Sequence, residues 1–182
     1  PLADQRVRQA INYAIDRKAI TEALYAGDGV AASEIALPGS EDFNEATADM
    51  YAYDPDKARA LLKEAGYPDG FTLPTISTGF ANISLAGQAI AAQLADVGIE
   101  LQLDEQEING YVAGVFGGTS PAAVLGLGSP PVFISATVAL TKDSPFNPFK
   151  TEDAQLTDLY NQAAAAAPDQ RAALDQQIVA RV

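Results

Sequence analysis

YDPDKARALLKEAGYPDGF, residues Tyr53 to Phe71, spells out a helix start, a helix stop and a strand start in succession. Asp54 is suited to cap a helix through its carboxylate, and Pro55 suits the first helical position, where no backbone N–H is needed. Ala58, Leu61, Leu62 and Ala65 recur at helical spacing, and Gly66 can take the left-handed conformation that ends the helix. Pro68-Asp69-Gly70 then turns the chain into a strand. Downstream, Phe71 to Ser77 reads as a strand, Asn82 to Val97 as an alanine-rich helix ending at Gly98, and Ile99 to Glu105 as a second strand. Strand, helix and strand on short connections predict a right-handed crossover between parallel strands. Pro74 removes a ladder donor and so favours a sheet edge or a bulge. Asn109 to Phe116 reads as a short helix and Ala122 to Leu127 as a buried apolar strand. The fold class is α/β, a mainly parallel sheet flanked by helices.

Upstream, Asp4 followed by Val7, Ala10, Ile11, Ala14, Ile15, Ala19, Ile20 and Leu24 predicts a long amphipathic helix, broken near Asp16 and terminated by Gly27 and Gly29. Residues 28–53 lack a period and read as an extended surface loop, of a length that is uncommon unless it packs or serves a purpose. Gly128 to Lys150 carries Pro130, Pro131, Pro145 and Pro148 and reads as irregular, with Val132 to Leu140 its apolar run. Thr151 is the expected cap of a helix running through Ala167. Pro168 interrupts it, and a last helix starts at Asp169. No internal repeat is visible.

The 182 residues suffice for one domain, or one with a small annex, burying roughly 70% of the unfolded surface. Lys and Arg number 11 against 24 Asp and Glu, for a net charge of −13. Such a field repels nucleic acid and anionic membranes and serves solubility. The absence of cysteine and histidine removes disulfides, thiolate chemistry, the usual general base and the commonest transition-metal ligand. No cofactor is implied. No run of 18 apolar residues occurs, and the chain opens on a helix start rather than a signal peptide.

In open parallel sheets, ligands sit beyond the carboxyl ends of the strands, where loops diverge and helix N-termini present unpaired N–H groups. That rule selects three loops: Ser77 to Asn82, Gln106 to Tyr111, and Gly126 to Pro131. The first contributes Ser77, Thr78, Gly79, Phe80 and Asn82, the second Tyr111, and the third Gly126, Leu127, Gly128 and Ser129 as candidate ligand-binding residues. Ser, Thr, Gly and Asn are also the ordinary residues of strand-to-helix turns. Tyr111 could stack on a ligand, yet an aromatic that opens a short helix is more often core.

Two segments, Tyr53 to Phe71 and PLADQRVRQAINYAIDRKAITEAL at Pro1 to Leu24, together resemble the extracytoplasmic solute-binding proteins of ABC importers. The class is the one that carries oligopeptides, dipeptides and nickel complexes, family 5. The resemblance implies a periplasmic-binding-protein-like (type II) fold in which residues 1–182 form a single α/β lobe of a two-lobe protein. It implies a piece from the middle of a longer chain, without the N-terminal lobe or the C-terminal return segment. It also implies a signal or lipid anchor upstream, a periplasmic or cell-surface location, an ABC permease as partner and a peptide-like or other small solute as cargo. Within the family pattern, peptide-binding relatives carry a tryptophan and then an aspartate after the third strand, where this chain has Leu127 and Pro130. Some relatives carry an arginine after the first strand, where this chain has Ser77. With those charges missing from both loops, a neutral solute becomes the more credible cargo.

Two other readings compete. Asp104, Glu105 and Glu107 could supply paired carboxylates for glycoside chemistry, but alternation along a strand sends neighbours to opposite faces. A serine with Lys142 or Lys150 would make a nucleophile pair, yet no SxxK motif occurs. Alternatively, the acidic surface or the apolar helix faces would dock another protein. The expectation is a non-catalytic, monomeric lobe.

Overall fold

The computed structural model describes residues 1–80, 82–126, 141–144 and 147–181. The chain divides into two compact units, one built from Pro1–Ala31 with Tyr51–Gly126, the other from Ala32–Met50 with Leu127–Val182.

The first unit contains α1 (Gln5–Ala14), α2 (Arg17–Tyr25), α3 (Pro55–Glu64), β1 (Phe71–Thr78), α4 (Ile83–Ala95), β2 (Ile99–Gln106), α5 (Ile108–Gly117) and β3 (Ala122–Ala123). The helix ends follow local chemistry. Asp4 caps α1 by accepting from the Arg6 N–H, while Ile15 is extended, which separates α1 from α2 at the expected place. Asp16 then caps α2 through the Ala19 N–H. Ala26 (φ +49°) and Gly27 (φ +82°) turn the chain out of α2, so an alanine takes the left-handed position ahead of the expected glycine. Asp54 accepts from the Lys57 N–H at 2.9 Å. At the far end of α3, Gly66 (φ +91°) lets the Gly66 and Tyr67 N–H groups reach the Lys63 and Leu62 carbonyls at 3.1 and 2.9 Å. This is a complete Schellman stop.

The sheet is parallel, with strand order β2-β1-β3. Both long strands leave a left-handed glycine, Gly70 (φ +75°) and Gly98 (φ +92°), and the register starts there, with Phe71 opposite Ile99. One face presents Phe71, Leu73, Thr75 and Ser77 beside Ile99, Leu101, Leu103 and Glu105. Val7, Ala10, Ala14, Ala58, Leu62, Leu73, Leu94, Val97 and Ile99 form the core cluster there, joining α1, α3 and α4 to the sheet. On the other face, α5 lies against Ile76. A Cβ on Gly114 would stand 2.4 Å from Ile76 Cδ1, so glycine lets helix and strand close up.

Two expectations about the sheet need correction. Pro74 sits in the central strand rather than at an edge. The ladder to β3, however, involves only Thr75 and Ile76, and the Pro74 carbonyl accepts from Ser120 Oγ at 3.0 Å. The N–H that proline lacks therefore faces a side where β3 has not begun. The strand expected at Ala122 to Leu127 shrinks to Ala122–Ala123. Val124 adds one more bond, N–H to the Ile76 carbonyl at 3.0 Å, but Leu125 is 44% exposed, so the run is not a buried strand. Leu127 lies outside the described residues.

In the second unit, α6 (Ala154–Ala165) and α7 (Pro168–Arg181) pack through Leu156, Leu159, Ala163, Ile178 and Val179. Asp153, not Thr151, caps α6: it accepts from the Leu156 N–H at 3.0 Å and pairs with Arg181 at 2.8 Å. Those two contacts, the N–H first, hold its carboxyl below the usual range. Thr151 bonds to Asn147 instead. Pro168 opens α7 rather than merely ending α6, as its ring allows at a first helical turn. The stretch expected to be extended surface loop is packed against these helices. Ala36 is 2% exposed and joins their cluster, with Phe43 against it. Asn44 Nδ2 donates to the Gln176 carbonyl at 3.3 Å, and Gln176 Nε2 returns a bond to the Glu41 carbonyl at 3.1 Å. The expected apolar run Val132 to Leu140 lies outside the described residues. No helix among the described residues is long and apolar enough to cross a membrane.

Candidate functional site

The strand order creates a topological switch point. From β1 the chain crosses through α4 to one neighbour, and from β2 it returns through α5 to the opposite side of β1. In sheets of this strand order the carboxyl ends of β1 and β3 are the usual ligand position. The first turns of α4 border that position. A Cβ on Gly126 would lie 3.3 Å from Ile83 Cδ1, and a Cβ on Gly87 would lie 3.3 Å from Val124 Cγ2 and 3.6 Å from Ser77 Oγ.

Of the residues singled out from the sequence, Ser77, Gly79 and Gly126 come to this place. Ser77 is 1% exposed, and its Oγ has no hydrogen-bond partner. Thr78 is 2% exposed and alternates to the α5 face. Phe80 is 66% exposed. Asn82 stands at the start of α4 without a side-chain capping bond. Tyr111 is buried on the α5 side, and its hydroxyl donates to the Val124 carbonyl at 2.7 Å, which tethers the stretch after β3. Burial pushes its phenol up. Leu127, Gly128 and Ser129 lie outside the described residues, as does Pro130.

Sequence reading weighed Glu105 only as a carboxylate for glycoside chemistry, not as a neighbour of the first loop. Parallel register places it opposite Ser77. Its Oε2 accepts from Ser84 Oγ, and its Oε1 is 3.1 Å from where a Gly79 Cβ would stand. A carboxylate thus borders a loop that itself contains no charge. The signal was available: both strands start directly after a glycine, so counting from Phe71 and Ile99 pairs Ser77 with Glu105. Asp104 points to the opposite face, where its Oδ2 accepts from Gln106 Nε2 at 2.7 Å, so the two carboxylates do not face a common substrate. Lys142 is committed to Glu152 at 2.7 Å. Among the described residues no group of three or more Asp or Glu side chains could hold a metal.

The second unit carries its own concavity, about 590 Å³, lined by Pro38, Ser40, Phe43, Asn44, Glu45 and Gln176 among others. Nearby in sequence, Asp175 is 2% exposed with Oδ1 unpartnered. Burial first, and Asp42 second, push its carboxyl up to about 6 against the pull of Arg171.

The profile of a family described as bacterial extracellular solute-binding proteins, family 5 Middle, matches residues 1–145. Heme-binding protein A of Haemophilus influenzae is 33% identical over 172 residues, covering 90% of this chain and 31% of the relative. The dipeptide-binding protein of Escherichia coli is 35% identical over 131 residues, covering 69% of this chain and 24% of the relative. A solved binding protein from A. tumefaciens, in complex with agropinic acid, superposes with a TM-score of 0.86 at 29% identity, over 100% of this chain and 38% of its own. The chain thus spans less than a third of the curated relatives' length.

Proposed function

Because the chain belongs to the bacterial extracellular solute-binding proteins of family 5, we propose that residues 1–182 form one α/β lobe of a two-lobe receptor. That receptor captures a small solute, peptide-like or neutral, and hands it to an ABC permease. Closure of two lobes about a hinge would enclose the solute. The observation that carries this reading is the β2-β1-β3 order, whose usual ligand position is the carboxyl ends of β1 and β3, near which the Ser77 hydroxyl stands buried and unpaired. Family relatives are named for binding heme, dipeptides and glutathione, which supports enclosure of varied cargo on one scaffold. The site residues are Ser77, Thr78, Gly79, Phe80, Asn82, Tyr111 and Gly126, with Leu127, Gly128 and Ser129 continuing the third loop. Exposed Phe80 offers apolar contact, while Thr78 and Tyr111 hold the frame. The protein works outside the cytoplasm, as a periplasmic or lipid-anchored receptor, and performs no covalent chemistry. The lobe itself is monomeric.

Small molecules released by denaturing the natively purified full-length protein, identified by mass spectrometry and returned to it in calorimetry, test this. The expected result is one solute per protein, recovered chemically unchanged, with affinity reduced by about tenfold or more when Gly126→Trp fills that position. Turnover of an ester or glycoside that a single substitution abolishes would contradict it. The 182-residue chain alone, with half the contacts, should bind the same solute weakly; submicromolar binding would contradict the two-lobe reading.

A further inference from the structure

Residues 33–48 close on themselves. Ser33 Oγ donates to the Ala48 carbonyl at 2.6 Å, and Thr47 Oγ1 stands 2.9 Å from Glu34 Oε2, so the two ends of the loop are tied to each other. A surface loop with joined ends can move as a unit. It lies against α7 through Ala36 and Phe43, which join the cluster of Ile178 and Val179. At its tip two amides cross the joint: Asn44 Nδ2 donates to the Gln176 carbonyl and Gln176 Nε2 to the Glu41 carbonyl. Loop and helix both line the concavity of about 590 Å³, Phe43 and Asn44 from one side and Gln176 from the other.

The joint is short of hydrogen-bond donors. Asp175, next to Gln176 on α7, is buried with Oδ1 unpartnered, and Glu34 Oε1 in the loop is likewise buried and unpartnered. Thr47 Oγ1 has one proton for two acceptors, Glu34 Oε2 and the Asn44 carbonyl at 3.0 Å. Burying an unpaired carboxylate costs far more in its charged form than as the neutral acid. The charges around Asp175 do not reverse that preference. Asp42 acts on it from the loop and adds repulsion, while Arg171, one turn earlier on α7, opposes it. Arg171 also donates from Nε to the Ala163 carbonyl at 3.2 Å. On α6, Asp153 pairs with Arg181 and Asp158 accepts from Gln162 Nε2. Glu41, Glu45 and Asp49 of the loop are exposed. Burial and Asp42 prevail, and the Asp175 carboxyl is pushed up to about 6.

We propose that residues 33–48 form a strap that docks on α7 while Asp175 carries a proton and lifts from it when Asp175 ionises beside Asp42. Released, the carboxyl returns to its ordinary 3.8, so the docked strap binds the proton more tightly. Docking is therefore strongest below about pH 4, weakens as pH rises toward 6, and is constant above that. The shape of the concavity follows the same proton. The inference is independent of where the solute binds.

Hydrogen exchange of the full-length protein at pH 5 and pH 7.5, corrected for the intrinsic pH dependence of exchange, tests it in the wild type, Asp175→Asn and Asp42→Asn. Protection of residues 36–47 should fall about tenfold between the two pH values in the wild type, with α6, α7 and β1 unchanged. Asp175→Asn, uncharged throughout, should keep its protection at both, and Asp42→Asn should show a smaller fall than the wild type. Wild-type protection that ignores pH, or a fall as large in Asp175→Asn, overturns the proposal. A fall shared equally by α6 and α7 marks unfolding of the whole unit and overturns it as well. If Asp175→Asn does not fold, Asp42→Asn decides: a fall as large as in the wild type overturns the proposal, and a smaller one supports it.

Discussion

Asp175 works against the fold of its own unit when it ionises. Its folded pKa of about 6 exceeds the ordinary 3.8, chiefly through burial and secondarily through Asp42. The folded state thus holds a proton that the unfolded state has released. Stability is full below about pH 4, falls as pH rises toward 6, and is flat above that. Asp175→Asn should therefore be more stable than the parent in urea at pH 7, with the difference gone at pH 4. A difference that persists or grows in acid would refute the assignment. Tyr111 has the opposite character. Removing its hydroxyl in Tyr111→Phe strands the Val124 carbonyl and should cost about 1 kcal/mol in denaturant unfolding. A neutral substitution would show that water replaces the bond freely. Some residues were legible from sequence because their chemistry is local. Asp54, Pro55 and Gly66 each act within four residues, so spacing suffices. Ser77 was legible as a residue near a strand end but not in its burial, which depends on Gly87 and Val124 from elsewhere in the chain, whereas Tyr111 takes the core place its ring favours. Thr151 was read as a cap because its type allows it. Asp153 takes the role because a carboxylate also pairs with Arg181, a partner 28 residues away in sequence.

At the scale of elements, the two long strands depend on one contact between their first turns. A Cβ on Gly70 would lie 1.7 Å from the Gly98 carbonyl oxygen, the acceptor of the Phe71 N–H at 3.1 Å. Gly70→Ala meets both this clash and the left-handed φ, and should destabilise by roughly 3 kcal/mol or more in chemical denaturation. Gly66→Ala, also left-handed but with nothing within 4 Å of the new methyl, should cost only about 1 kcal/mol. Comparable losses at the two sites would show that the strand starts are not the constraint described. The helices and the β1–β2 pair were visible in the periodicity, since period and boundary signals coincide there. The short β3 was not, because an apolar run records burial potential without saying how far a partner strand extends alongside it. Residues 32–50 have neither period, and their order arises from α6 and α7, which lie more than a hundred residues later. No local pattern could announce that packing.

At the scale of the whole molecule, the family assignment and the strand order both support the proposed enclosure of a solute. Composition had already argued against nucleic acid and histidine- or cysteine-based catalysis, and the motif resemblance had named the family. The carboxylate beside the first loop was not legible from residues 77–82, which are uncharged; it emerges only when register sets Glu105 against Ser77. Division of the chain into two units also escaped the sequence, since the second unit gathers segments separated by the whole of the sheet. The most direct test is hydrogen exchange of the full-length protein with and without the small molecule that co-purifies with it. Protection should concentrate at residues 77–84 and 124–126, at the carboxyl ends of β1 and β3. Protection confined to the Pro38–Ala46 concavity, or absent from the strand ends, would contradict the account.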